Sequence, residues 1–308
     1  MTSSKILGGL SIAFAAIMWG FDGVVLTPRL YNLNVPYVVF ILHLLPFILM
    51  NAFMFKEYKY LKIFSLNDYL MLIVIAFTGG AIGTLAIVKA LFLVNFNHLS
   101  VVVLLQKLQP IFAIILAAIL LKEKITRRFL IWAIPAIFGG YTLAFGFKSP
   151  NFEGSANDFY AALYALLAAV CFGGSTVVSK MALTKYNFKT LTFYRYGFTT
   201  LIMLCIVIIT QQVNQFGETS SQNWLFFCVI GLTTGSGAIM LFYYGLNKVR
   251  AIISAIVELL FPISAIVFDF LINKNILSPI QWVSAGIMIF SIFKINNWSN
   301  KESLENRN

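Results

Sequence analysis

VVVLLQKLQPIFAIILAAILLKEKIT, Val101 to Thr126, is the stretch whose reading decides the fold. An apolar run of that length suits a membrane helix. It carries Gln106, Lys107 and Pro110 within it and ends on a basic turn at Lys122 and Lys124. A second version, SAIVELLFPISAIVFDFLINKNILS, runs from Ser254 to Ser278. Pro110 falls on Pro262, a shift of 152 residues (262 − 110 = 152). The same shift carries Ile111 to Ile263, Ala113 to Ala265, Asn95 to Asn247, Lys122 to Lys274, Gly79 to Gly231 and Gly83 to Gly235. Upstream, AAIMWGFDGVV (Ala15 to Val25) matches AAVCFGGSTVV (Ala168 to Val178) at a shift of 153 (168 − 15 = 153). An internal repeat of this length fixes the architecture. The chain is two copies of one membrane unit.

Composition names the solvent. Of 308 residues 60% are hydrophobic and 11% charged, with a mean hydropathy of +0.87. A soluble domain carries about 25% charged residues, and no aqueous core could absorb this much Leu, Ile, Val and Phe. Spans are expected at about residues 6–27, 35–55, 68–93, 98–121, 129–147, 159–180, 190–210, 224–245, 251–271 and 279–295. The first is too long for a removable signal and lacks the small-residue cleavage pattern, so it reads as a retained span. Cys171, Cys205 and Cys228 sit in apolar runs with no disulfide or metal spacing and read as packing residues.

The loops set orientation. Alternate connections hold Lys5, Lys56, Lys59, Lys62, Lys122, Lys124, Arg127, Arg128, Lys180, Lys185, Lys189, Lys248, Arg250, Lys294, Lys301 and Arg307 on one side, against Arg29, Lys148 and Lys274 on the other. The positive-inside rule puts the first group in the cytoplasm, with both termini. The net charge of +11 is therefore a topology signal and not a sign of nucleic-acid binding. Five spans per half make the second copy enter from the opposite side, which gives an all-α polytopic protein of ten transmembrane helices in two inverted five-helix repeats. The expected divisions are a first repeat at 6–147, an outer linker at 148–158, a second repeat at 159–295 and an unstructured cytoplasmic tail at 296–308. Inverted repeats are typical of secondary transporters, which hold substrate at the midplane between the halves.

Several short motifs resemble a known family. They are Trp19-Gly20 in the first span, Lys89-Ala90-Leu91 ending the third, Pro110 followed by Leu120-Leu121-Lys122-Glu123-Lys124-Ile125, and Gly139-Gly140 in the fifth. Together they resemble the EamA-type unit of the drug/metabolite transporter superfamily, over nearly the whole chain. The resemblance implies a ten-helix carrier and leaves the cargo open, since members move amino acids, nucleobases, choline, drugs and other metabolites. The second half departs from the pattern at Phe172 in place of the Trp, at Asn275 in place of the acidic residue, and at Glu258, where a small residue is usual.

Ionisable groups inside spans are costly when they face lipid, so they mark candidate sites. Glu258 and its repeat-mate Gln106 each stand four residues before a proline. They lie on the stripes Ser254, Glu258, Phe261, Pro262 and Gln106, Gln109, Pro110. A proline frees the carbonyl four residues back, so the pair points to a cavity on the pseudo-axis. A buried strut between Glu258 and Arg195 is the alternative. Arg195 could clamp a carboxylate or snorkel to the inner surface. His43 could relay protons or serve as a helix contact. Asp22 and Lys107 read as a desolvated outer pair or gate. Lys89 reads as snorkelling and Asp269 as solvated. Trp19, Tyr194 and Tyr243 are candidates for lining the pocket, beside Tyr37, Tyr244 and Trp282.

The reading is a plasma-membrane (inner-membrane) secondary carrier of a small organic metabolite, working by alternating access as a monomer or homodimer. An amino acid or related zwitterion is favoured because the cavity is expected to hold both Arg195 and Glu258. A quaternary amine held through cation–π contacts, or a drug, is the alternative. Proton coupling through Glu258 or His43 and simple exchange both stay open. No cofactor or metal is expected, and the absence of nucleophile, metal and phosphate-loop motifs argues against an enzyme. A channel would need a continuous polar stripe, which the scattered polar residues do not form.

Overall fold

A computed structural model of the chain describes residues 2–94, 105–106, 108–145, 156–274 and 278–305. Every regular element among them is helical. In chain order the rods are α1 (Ser4–Leu30), α2 (Val35–Lys62), α3 (Leu66–Leu93), α4 (Gln109–Leu120), α5 (Arg127–Phe145), α6 (Phe159–Ala182), α7 (Phe188–Ile209), α8 (Ser221–Lys248), α9 (Ala251–Ile272) and α10 (Pro279–Glu305). Seven of these (α1 to α3 and α6 to α9) are long and apolar enough to cross a membrane. Most of the first half of the expected fourth span, residues 98–104, lies outside the described residues. The tail corrects one expectation. The last helix runs on through Asn296 to Glu305, because nothing after Pro279 breaks it and Lys301, Glu302, Leu304 and Glu305 are good helix formers.

The starts of α3 and α8 show how local sequence builds the repeat. Ser65 accepts from the Asp68 amide while the Asp68 side chain accepts from the Ser65 amide, a capping box. Ser220 and Asn223 form the same box ahead of the glycines of α8. Each rod then widens into a π turn, at Ala76–Ile82 in α3 and Gly231–Gly235 in α8. α1 has a π turn of its own at Asp22–Leu26.

Packing follows the repeat. α1 lies against α8 and α9, and α6 lies against α3 and α4; α2 pairs with α7, and α5 pairs with α10. Exchanging the two halves maps the pairings of α1 onto those of α6 and each of the other two onto itself. Two glycines at matching positions permit close approaches of α1 to α9 and of α6 to α4. A side chain at Gly20 of α1 would collide with Ser264 of α9. One at Gly173 of α6 would stand 3.0 Å from the Gln109 carbonyl and the Ala113 amide of α4. The perimeter is apolar, with Phe53, Ile209 and Leu66 among its most exposed side chains, as lipid contact requires.

Candidate functional site

Glu258 sits where α9 breaks. Ala251–Val257 and Leu260–Asn273 are separate helices joined through Glu258 and Leu259. Pro262 has no N–H, and its ring excludes the carbonyl four residues back. The Phe261 amide donates to that Glu258 carbonyl instead, at 3.0 Å. The carboxylate turns toward α4. Its Oε2 accepts from Gln109 Nε2 at 2.8 Å, and its Oε1 accepts from Ser254 Oγ at 3.1 Å. Glu258 and Gln109, with Gln106, Pro110, Leu259, Phe261 and Pro262, line a cavity of about 30 Å³. That is room for about one water. Glu258 and Gln106 therefore do face one space between the two proline breaks. Gln109 and Ser254, whose stripes were visible in the sequence, supply the direct hydrogen bonds.

Arg195 is elsewhere. It is 8% exposed, donates from Nη1 to the Tyr243 hydroxyl at 2.8 Å, and donates from Nη2 to the Gly79 carbonyl at 2.8 Å. Tyr243 also accepts from Ser179 Oγ at 3.1 Å, and its ring lies 5.7 Å from the guanidinium. The Gly79 carbonyl lies in the π turn of α3 and accepts from Thr84 Oγ1 at 3.3 Å as well. Arg195 ties α7 to α3 and α8. The expected partnership of Arg195 with Glu258 does not form. The ion pairs among the described residues are Lys185 with Asp68 at 2.9 Å and Arg250 with Glu123 at 3.9 Å.

The remaining candidates scatter. His43 Nδ1 lies 2.8 Å from the Val39 carbonyl of its own helix, and its ring stands 5.2 Å from that of Tyr196. Tyr194 donates to the Glu57 carbonyl at 2.7 Å within a cluster of rings that includes Phe64, 4.7 Å away. It is a tether between α7 and the end of α2, far from the lining of the Glu258 cavity. Trp19 packs on Phe242 at 5.5 Å. Asp22 Oδ1 accepts from Thr27 Oγ1 at 3.0 Å, inside its own π turn. Lys107 lies outside the described residues, and with it the expected pairing to Asp22.

One acidic residue was legible only as part of a motif. Glu123, in the Lys-Glu-Lys turn after α4, accepts from the Ala251 amide at 2.8 Å and the Ile252 amide at 3.0 Å. It therefore caps the start of α9, where orphan amides and the helix dipole favour an anion. Next to it Lys180 Nζ donates to the carbonyls of Leu246 and Val249, each at 2.7 Å, and holds the end of α8. These contacts close one end of the bundle around α4, α6, α8 and α9.

The two-fold pairing of rods and the proline breaks are matched by a family model, the EamA-like transporter family, at residues 6–145 and 159–297. The chain belongs to that family. It is 54% identical over 294 residues to the riboflavin transporter ImpX of Fusobacterium nucleatum subsp. nucleatum, a match that covers 95% of this chain and 98% of that protein. It is 25% identical over 230 residues to an uncharacterized transporter of Synechocystis sp., covering 72% of this chain and 64% of that one. A solved crystal structure with 13% identity superposes with a TM-score of 0.70, covering 98% of this chain and 99% of the other. At that identity the likeness speaks for the fold alone. The protein is a multi-pass membrane transporter and not an enzyme.

Proposed function

We propose that the protein carries riboflavin, or a closely related flavin, across the plasma membrane by alternating access between two inverted five-span halves. The observation that carries this reading is the 54% identity, over 95% of the chain, to a protein named as a riboflavin transporter. The site's chemistry is compatible with it. Riboflavin is uncharged, and its ring presents an imide edge of one N–H between two carbonyls. The Gln106 and Gln109 amides and the Glu258 carboxylate offer donors and acceptors of that kind between the halves. A zwitterionic cargo loses its main support, because Arg195 is committed to Tyr243 and Gly79 and does not share the cavity with Glu258. At about 30 Å³ the cavity is closed around Glu258, so carrying a flavin requires α4 and α9 to separate there. The proline breaks at Pro110 and Pro262 are the joints at which they do so.

The test uses purified protein in liposomes. Wild type takes up labelled riboflavin saturably and shows counterflow, which a channel does not. Glu258→Gln loses the charge-assisted bond from Gln109 and lowers uptake roughly 10- to 100-fold. Its melting temperature holds or rises, because the carboxylate's hydrogen-bond donors among the described residues are neutral. Full riboflavin uptake by Glu258→Gln removes Glu258 from the mechanism. Uptake of an amino acid with no riboflavin flux overturns the cargo. Orientation is tested separately. In a variant cleared of its own cysteines, a cysteine at Gly217 reacts with an impermeant reagent from outside and one at Lys124 does not.

A further inference from the structure

A second cavity, of about 680 Å³, opens between the start of α2, the end of α3 and the flank of α6. Drug-sized ligands occupy sites of about 300–1,000 Å³, so this space accepts a flavin ring while the cavity at Glu258 does not. Its walls have a consistent chemistry. Tyr31 and Phe92 bring their rings to 5.0 Å of each other across the α2–α3 corner, and Tyr164 faces the same space from α6. Lys89 supplies a cation, and among the described residues no carboxylate lines the cavity. The sharpest feature is Gln212. Gln211 adopts a left-handed φ of 57°, a conformation that costs energy for a residue other than glycine. It closes a Schellman turn after α7, with Gln212 N–H donating to the Val207 carbonyl at 2.9 Å and Gln211 N–H to the Ile208 carbonyl at 3.1 Å. That turn sets the Gln212 side chain in the cavity wall, where its Oε1 is buried without a hydrogen-bond partner. A buried acceptor without a donor is destabilising. This one asks for an N–H or O–H from whatever fills the cavity.

We infer that this cavity is an outer-face docking site for the ring of the cargo, a fused planar heterocycle bearing an imide. The ring lies against Tyr31 and Phe92, the imide N–H donates to Gln212 Oε1, and Lys89 stands by the electron-rich carbonyl side. The inference rests on the flavin reading above for its ligand and on Gln212 for its place.

Riboflavin is titrated into the purified full-length protein, and quenching of flavin fluorescence by ring stacking is followed. Gln212→Leu and, independently, Phe92→Leu weaken the dissociation constant about tenfold, equivalent to about 1.4 kcal/mol. Gln212→Glu, which keeps an acceptor at the same place, stays within about twofold of wild type. Lumichrome, the ring without its sugar chain, competes, and ribitol does not. Equal riboflavin affinity in wild type, Gln212→Leu and Phe92→Leu, with transport intact, overturns the docking site and leaves the cargo standing. A loss of co-purified phospholipid in those variants, with riboflavin affinity unchanged, identifies the cavity as a lipid groove and also overturns it. Absence of both riboflavin binding and riboflavin transport in wild type is the failure of the cargo reading itself.

Discussion

The π turns of α3 and α8 stand at matching places in the two halves, and α3 carries ties to neighbouring rods beyond the one tie that both share. In α3 the irregular backbone is tied outward. Arg195 of α7 reaches the Gly79 carbonyl, Thr199 Oγ1 reaches the Ala76 carbonyl at 3.2 Å, and Ser175 Oγ of α6 approaches the Ile75 carbonyl at 3.5 Å. Both turns also close on their own rod: Thr84 Oγ1 donates to the Gly79 carbonyl at 3.3 Å, and at the matching place in α8 Ser236 Oγ donates to the Gly231 carbonyl at 2.7 Å. His43 stands within one residue of the repeat position of Arg195, and it bonds within its own helix. The repeat therefore preserves the place where the backbone departs from α geometry. The side chains around it decide how firmly that place is also tied to neighbouring rods.

Adding one methyl group to each turn breaks this comparison most sharply. At Gly79 the methyl collides with Ser175 and stands 3.3 Å from Arg195 Nη1. At Gly231 it meets the ring of Pro46 at 3.2 and 3.4 Å. Gly79→Ala is expected to cost about 2–3 kcal/mol through overpacking and a displaced guanidinium. Gly231→Ala stays within about 1 kcal/mol, because the helix preference of Ala over Gly offsets most of the crowding. Thermal unfolding of the two variants in the same detergent measures the difference. Equal losses mean that the ties around α3 add nothing beyond local packing.

The two ends of the bundle allow a second, smaller comparison. The Glu123 carboxylate caps α9 through two backbone amides. Its repeat-mate is the neutral Asn275, which lies outside the described residues. Glu123→Ala is expected to cost about 1–2 kcal/mol, the scale of a lost helix cap with its dipole contribution. The loss is local. Hydrogen exchange at Ala251 and Ile252 accelerates, while the amides of α2 and α7, which pack at a distance from this cap, keep their protection. Uniform acceleration across the bundle shows instead that Glu123 supports global stability.

The pairing of halves was legible because it is written in identities at a fixed shift, Pro110 with Pro262 and Gly79 with Gly231. Gln106 and Glu258 were legible for the same reason, as polar residues at one offset from a proline. The partner of Arg195 was not. Stripes drawn at 3.6 residues per turn assume unbroken α geometry, and a π turn at Ala76–Ile82 shifts the register of everything beyond it. The bond from Arg195 goes to a backbone carbonyl in that irregular stretch, which hydrophobic periodicity does not encode. The sequence shows Arg195 as a cation seeking an anion, and Glu258 was the anion on offer. The role of Glu123 was hidden in another way. A turn residue that caps a helix 128 positions later (251 − 123 = 128) has no local signature.

The smallest expected effect tests whether His43, beside the repeat position of Arg195, shares in transport. His43 is 6% exposed, and its contacts are the Val39 carbonyl and the Tyr196 ring. Replacement by Phe keeps a flat ring over Tyr196 and removes one hydrogen bond to a carbonyl in its own helix. The expected cost is below about 1 kcal/mol, and riboflavin uptake stays close to wild type. A proton relay at His43 makes a different prediction. His43→Phe then retains its melting temperature and its exchange activity but no longer accumulates riboflavin under an imposed pH gradient. Accumulation that survives the substitution removes His43 from any proton coupling and leaves it to groups such as Glu258, which lies between the two proline breaks. Symmetry-related positions in the two halves then differ in task as well as in residue, as the two π turns already do.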